Sequence, residues 1–165
     1  MVPGLALAGC PDYLDHSFTR LHSSDTFSLC EAAGSRAILL VNTASHCGFT
    51  PQFKDLETLH EQYGQNGLTI VGFPSNDFNQ EAGSEQETAK ICYVNNGVTF
   101  TMVSPLSVKG ESAHPLFRYL AAQTEAPNWN FNKYLIDPAN GSVTHFDSQA
   151  KPLGTEIDSA IKSLL

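Results

Sequence analysis

The run Ile38-Leu39-Leu40-Val41 is apolar at every position, and a polar, cysteine-bearing segment from Asn42 to Thr50 follows it directly. Continuous apolarity, as opposed to alternation, is the pattern of a strand buried on both faces, and such a strand needs helices packed on either side of its sheet. The residues downstream agree. Thr50 and Pro51 read as N-cap and first helical residue, and Phe53, Leu56, Leu59 and Tyr63 recur at helical spacing until Gly64 ends the pattern. Leu68-Thr69-Ile70-Val71-Gly72-Phe73 supplies a second buried strand. Ser84 with Glu87 forms a capping box, opening a helix predicted to end near Asn95-Asn96-Gly97. The centre of the chain therefore reads β-α-β-α.

On the amino-terminal side, His16 to Leu21 and Thr26 to Leu29 read as short strands joined at the polar turn Ser23-Ser24-Asp25. On the other side, His114-Pro115 starts a helix through Leu116, Phe117 and Leu120, and Tyr134-Leu135-Ile136 and Val143 to Phe146 flank an Asn140-Gly141 turn. A final helix carries Ile157, Ile161, Leu164 and Leu165 on its inner face. This order predicts a mixed central sheet flanked by helices, because crossover helices cover parallel strands while the last hairpin adds antiparallel ones. It is an α/β arrangement of the thioredoxin-like type. With 165 residues there is material for one domain, expected over residues 16–165, with residues 1–15 as a tail or the remnant of an export signal.

Nine Lys and Arg against seventeen Asp and Glu leave a formal net charge of −8, and the basic residues are scattered. Binding to a polyphosphate rests on clustered Lys and Arg, so nucleic acid is not an expected partner. The hydrophobic fraction of 41%, with ten Phe and five Tyr, is enough for a packed interior and argues against general disorder. No stretch of about 20 apolar residues is present, so no transmembrane helix is expected.

Leu7-Ala8-Gly9-Cys10 resembles the cleavage box of bacterial lipoproteins, in which the cysteine becomes the lipidated first residue. The stretch before it is short for a signal peptide and has no positive n-region. Two origins stay open: the clipped start of an exported protein, periplasmic or lipid-anchored, or a chance match in an Ala/Leu/Gly-rich tail of a cytoplasmic one.

Cys47 lies just past the carboxyl end of the Ile38 strand and just before a helix start, where open α/β sheets place their reactive groups. Backbone N–H groups and the helix dipole at such a position favour a thiolate over a thiol. The wider sequence adds context. Val41-Asn42-Thr43-Ala44-Ser45-His46-Cys47-Gly48-Phe49-Thr50 closely resembles the active-site segment of glutathione peroxidases. Phe73-Pro74-Ser75-Asn76-Asp77-Phe78-Asn79-Gln80-Glu81 resembles that family's second motif, and Trp129-Asn130-Phe131-Asn132-Lys133 its third. By this resemblance Cys47 is the peroxidatic residue, standing where some members carry selenocysteine, and Gln80, Trp129 and Asn130 complete a catalytic tetrad. The chemistry is coherent: peroxide cleavage needs a thiolate nucleophile and hydrogen-bond donors that do not titrate near neutral pH, and two amides and an indole meet that need. His46, adjacent to Cys47, is assigned at most a minor role. Ser75, Asp77, Ala82 and Thr101 depart from residues common in the family.

A sulfenic acid on Cys47 must be reduced before it over-oxidises. Cys92, in Ala89 to Phe100, resembles in its setting the resolving cysteine of the family's thioredoxin-dependent branch; the bland alternative is a core-facing helical cysteine. As a resolving residue it would form a Cys47-Cys92 disulfide, for which the end of the Ser84 helix must move, because the two residues sit on different elements. A dithiol protein such as thioredoxin would then reduce that bond. Glutathione carries two carboxylates, and no basic cluster surrounds the motifs, Lys54 and Lys133 being the nearest candidates. The connection before Trp129 lacks the insertion that resembles a subunit-contact loop, which implies a monomer with an open site able to take hydrogen peroxide and organic or lipid hydroperoxides. No metal or cofactor is implied. Cys10 and Cys30 can pair, or Cys10 can be lipidated and Cys30 a small apolar residue; the two stay unseparated. The competing functional readings are a glutathione-dependent peroxidase, a redox sensor that hands the same disulfide to a partner, and, more weakly, a metal-binding chaperone prompted by His46-Cys47.

Overall fold

A computed structural model describes residues 9–165. The continuous apolar run becomes β3 (Ala37–Thr43), buried at all seven positions. It occupies the middle of a five-stranded sheet of order β5-β4-β3-β6-β7. β4 (Leu68–Pro74) lies parallel to it, from Ala37 opposite Leu68 to Thr43 opposite Pro74, and the crossover between them is α1 (Gln52–Tyr63). β6 (Lys133–Asp137) lies antiparallel on the other side of β3 and turns back into β7 (Ser142–Phe146). The sheet is therefore mixed and thioredoxin-like, as the order of elements predicts.

Alternation along β3 divides the interior into two layers. Leu39 and Val41 face one layer with Phe53, Leu56, Ile70, Ile157 and Ile161, which gathers α1 and α4 (Glu156–Leu164). Ile38 and Leu40 face the other with Val71, Phe73, Leu116, Phe117 and Tyr134, which holds α3 (Pro115–Gln123). Cys47 and Cys92 both belong to the first layer. His114 caps α3 by accepting the Leu116 N–H at Nδ1 over 3.1 Å.

Several elements differ from the sequence reading, each for a local reason. α1 begins at Gln52, and Pro51 takes the N-cap position. Thr50 is thereby released from capping and braces the preceding loop instead: its hydroxyl accepts the Cys47 N–H at 3.0 Å and donates to the Ala44 carbonyl at 2.9 Å. The helix opened by Ser84 is short, α2 (Glu85–Ala89), and continues as a π-helical turn over Lys90–Asn95. The amino-terminal strands shorten to β1 (Ser17–Thr19) and β2 (Thr26–Ser28), a ribbon outside the main sheet. β5 (Thr101–Met102) has no pattern of its own; it pairs with β4 because Gly72 lets the Met102 side chain lie where any Cβ would collide with it.

Packed structure also starts before residue 16. Asp12–Leu14 forms a 3₁₀ turn with Leu14 fully buried, and Cys10 is bonded to Cys30, which takes one of the two fates open to these cysteines. Residues 9–15 are thus not a loose tail. Leu7 and Ala8 of the lipoprotein-like box lie outside the described residues.

Candidate active site

Cys47 sits in the loop between β3 and α1 and is 7% exposed. Its sulfur accepts the backbone N–H of Phe49 at 3.4 Å, so a donor already points at the atom that would carry negative charge. The His46 N–H donates to the Gln80 carbonyl at 2.8 Å, which fastens the Cys47 loop to the loop after β4. His46 itself is exposed.

The third segment meets the second at Gln80. Asn130, fully buried, donates from Nδ2 to Gln80 Oε1 at 3.0 Å. That bond fixes the Gln80 carboxamide with its oxygen occupied and leaves its N–H₂ as the donor end. Asn130 Oδ1 is buried without a partner among the described residues. Asn79, just before Gln80, and Phe131, just after Asn130, both adopt left-handed backbone, with φ of 59° and 58°. Non-glycine residues adopt it at a cost, and such positions cluster where a loop has to aim a functional group.

Trp129 is 37% exposed, and its ring lies 5.3 Å from that of Phe78. Its carbonyl is gripped by Asn42 Nδ2 and Asn132 Nδ2, each at 2.9 Å, while the Asn132 N–H donates to Asn42 Oδ1 at 3.1 Å. A cleft of about 280 Å³ opens between Phe49, Asn128, Trp129 and the segment Asp147-Ser148-Gln149. It reaches to within two residues of Cys47, at Phe49, and presents aromatic surface beside polar groups.

Cys92 is 1% exposed in the π-helical turn, and its thiol is pushed up to about 12 by burial and the nearby Glu81 carboxylate. Cys47 and Cys92 are both free thiols. Of the groups in the motifs, the sequence reading missed Glu81, which accepts from the Ser45 hydroxyl, the Ala82 N–H and the Thr88 hydroxyl and so ties the Cys47 loop to α2. Lys133, named from the sequence as a candidate cation for glutathione, has another role: fully buried, this side chain donates to the carbonyls of Asp147, Ser148 and Ala150 at 3.2, 3.2 and 2.7 Å and shapes one wall of the cleft. Burial lowers its pKa to about 7, with Asp147 pulling the other way. A buried site for Lys133 means that it presents no cation to an anionic substrate.

Two of the departures from the family pattern acquire roles. Asp77 Oδ2 accepts from the Ser107 hydroxyl and from the N–H groups of Val108 and Lys109, at 3.0, 2.7 and 3.1 Å. Ser75, fully buried, accepts the Asp77 N–H at 3.2 Å. For Ala82 nothing in the structure explains the replacement. Among the described residues, the one trio of metal-ligating types in mutual reach is Cys10, Asp15 and Cys30, and both of its sulfurs are taken by the disulfide.

The glutathione peroxidase sequence model matches residues 16–121. A glutathione peroxidase of Lactococcus lactis subsp. cremoris is 40% identical over 160 residues, covering 93% of this chain and 99% of that protein. A glutathione peroxidase-like peroxiredoxin, GPX5, of Chlamydomonas reinhardtii is also 40% identical, over 161 residues, covering 93% and 98%. Among solved structures, that of Trgpx in its apo form superposes with a TM-score of 0.67 at 29% identity, covering 91% of this chain and 95% of that one. Motif order, fold and overall similarity converge, and the chain belongs to the glutathione peroxidase family.

Proposed function

We propose that this protein is a thiol peroxidase that reduces hydrogen peroxide and organic hydroperoxides through Cys47, with Cys92 as resolving cysteine and a dithiol protein of the thioredoxin type as reductant. The observation that carries the reading is the tying together of the three motif loops beside Cys47: His46 N–H donates to Gln80 O and Asn130 Nδ2 to Gln80 Oε1, while Phe49 N–H donates to Cys47 Sγ. The Cys47 thiolate attacks one peroxide oxygen, the O–O bond breaks, and the departing alkoxide takes a proton to leave as alcohol. Gln80, Trp129 and Asn130 supply neutral donors for the charge that passes between sulfur and oxygen. Cys92 sulfur then attacks the Cys47 sulfenic acid; the S–O bond breaks, Cys92 gives up its proton, and water leaves. Two thiols of the reductant return the disulfide to two thiols and become a disulfide themselves.

The Phe49–Trp129 cleft suits the apolar part of an organic hydroperoxide. The burial of Lys133 favours a protein dithiol over glutathione, whose carboxylates need exposed cations. We read the molecule as a monomeric domain from about residue 16 onward, with the segment from Cys10 stapled to it. The Cys10–Cys30 disulfide favours an oxidising compartment, and it excludes lipidation of the same sulfur.

The test is a side-by-side steady-state assay with thioredoxin plus its reductase, and with glutathione plus its own. Turnover with thioredoxin is expected to exceed that with glutathione by at least roughly tenfold. Equal or reversed rates would overturn the donor, and peroxide consumption surviving in Cys47→Ser would overturn the site.

A further inference from the structure

Beside the Trp129 loop lies a chain of side chains that no catalytic role accounts for. Asn132 donates from Nδ2 to the Trp129 carbonyl, to Asn128 Oδ1 and to Ser148 Oγ, at 2.9, 3.0 and 3.3 Å. Its amide nitrogen is therefore fixed, and Oδ1 is the end turned toward His145 Nε2, 2.5 Å away. An amide oxygen only accepts, so His145 carries its proton on Nε2. The other ring nitrogen, Nδ1, lies 3.1 Å from Glu125 Oε1. A carboxylate also only accepts, so this second contact is a hydrogen bond only when His145 is a doubly protonated imidazolium.

We propose that His145 is a positioning residue for Trp129: through Asn132 it holds the indole-bearing loop, and its protonation adds Glu125 to the clamp. This rests on the assignment of Trp129 to the catalytic set. Glu125 precedes Trp129 in the same connection, and its side chain is 68% exposed, against 9% for His145. With a neutral imidazole the Nδ1 lone pair faces the carboxylate, and Glu125 swings to solvent; on protonation it is drawn back and the connection is tied at both ends. Every charged group around the ring is accounted for. Burial and Lys133 disfavour the imidazolium, while Glu125 and Asp147 favour it, the balance lying below the ordinary imidazole pKa. Glu156 shares the cleft beside Glu125 and Asp147, and the Tyr134 ring lies 4.9 Å from the imidazole.

Trp129 is the sole tryptophan of the chain, so its emission reports this loop alone. In the full-length reduced protein, emission is expected to titrate as a single step below the ordinary imidazole pKa. His145→Gln keeps a donor for Asn132 but cannot be protonated; it is expected to retain peroxide reactivity near the wild-type level at pH 7.5 and to lose the emission step. Glu125→Gln is expected to weaken the step without moving reactivity at that pH. His145→Phe leaves Asn132 Oδ1 unpaired and is expected to lower the rate of Cys47 oxidation roughly tenfold, with the His145→Gln protein as the folded control. An emission step that persists in His145→Gln, or wild-type rates in His145→Phe, would overturn the proposal. If Trp129→Phe leaves the rate of Cys47 oxidation unchanged, the assignment of Trp129 fails instead, while the titration still reports the clamp.

Discussion

Asn130 Nδ2 donates to Gln80 Oε1 at 3.0 Å, so the second and third motifs meet through one amide–amide bond whose polarity is fixed. Because the oxygen of Gln80 is engaged, the free end of its carboxamide is a donor. This is the orientation that peroxide cleavage needs, and it follows from the pairing and not from either residue alone.

Replacing Gln80 separates these roles. Gln80→Glu keeps an oxygen for Asn130 but removes the donor and adds a negative charge, so the second-order rate of Cys47 oxidation by hydrogen peroxide is expected to fall roughly 100-fold. Thermal stability should stay near wild type. A rate within a factor of about two of wild type would show that the donor end of Gln80 takes no part.

Cys92 is buried and its thiol raised to about 12, so in the reduced fold it is a poor nucleophile. The proposed resolving role therefore requires its π-helical turn to open; such turns are found at functional sites. Opening the turn takes the thiol away from Glu81 and into water. Native reduced protein at pH 8 is therefore expected to alkylate at Cys47 well before Cys92. Cys92→Ser should reduce one equivalent of peroxide and then stop in a thioredoxin-driven assay. The raised thiol also makes stability fall as pH climbs from the unfolded value of 9.0 through about 12, a slope that Cys92→Ser should remove in denaturant titrations.

The parts of this molecule that a sequence exposes are those decided by neighbours in the chain. β3 and β4 were legible because apolar runs need no partner to be seen, and α1 and α3 because their helical spacing is local, as is the His114 cap of α3. The proposed set of Cys47, Gln80, Trp129 and Asn130 could be named only jointly, through three motifs in order. β5, two residues long, depends on a contact between Gly72 and Met102, and the π-helical turn over Lys90–Asn95 has no local pattern that separates it from an α-helix. The bracing groups, Asn42, Thr50, Glu81 and Lys133, carry no signature because their meaning is a distant partner; Lys133 was read as a weak candidate for binding an anion and is instead sealed among carbonyls.

That sealing is testable. Lys133→Met removes the donor to the carbonyls of Asp147, Ser148 and Ala150 and is expected to cost about 2 kcal/mol of stability. The pH dependence has a definite sign. A lysine lowered from 10.5 to about 7 binds its proton less tightly when folded, so between those values the unfolded chain holds more protons and stability rises with pH. The contribution is complete above 10.5 and is lost as pH falls through about 7. Urea midpoints of the wild type measured from pH 6.5 to 9 should climb relative to those of Lys133→Met. Parallel curves for the two proteins would show that the lysine stays charged throughout.

The Cys10–Cys30 bond closes a loop of sequence separation 20 and holds down the turn that buries Leu14 and stacks Tyr13 on Tyr119, ring centroids 4.9 Å apart. A closure of this size stabilises by about 3 kcal/mol through the unfolded chain. Cys10→Ser with Cys30→Ser is therefore expected to lower the Tm by roughly 10 °C, since each kcal/mol shifts a domain of this length by about 2–4 °C. Peroxidase activity at 25 °C should be unchanged, because Cys47 and Cys92 are the two free thiols and the Cys10–Cys30 bond involves neither. Thiol titration of the denatured, unreduced wild type should give two equivalents, and four after reduction. Four equivalents without reductant would mean that the amino-terminal pair is not oxidised, and the argument for an oxidising compartment would go with it.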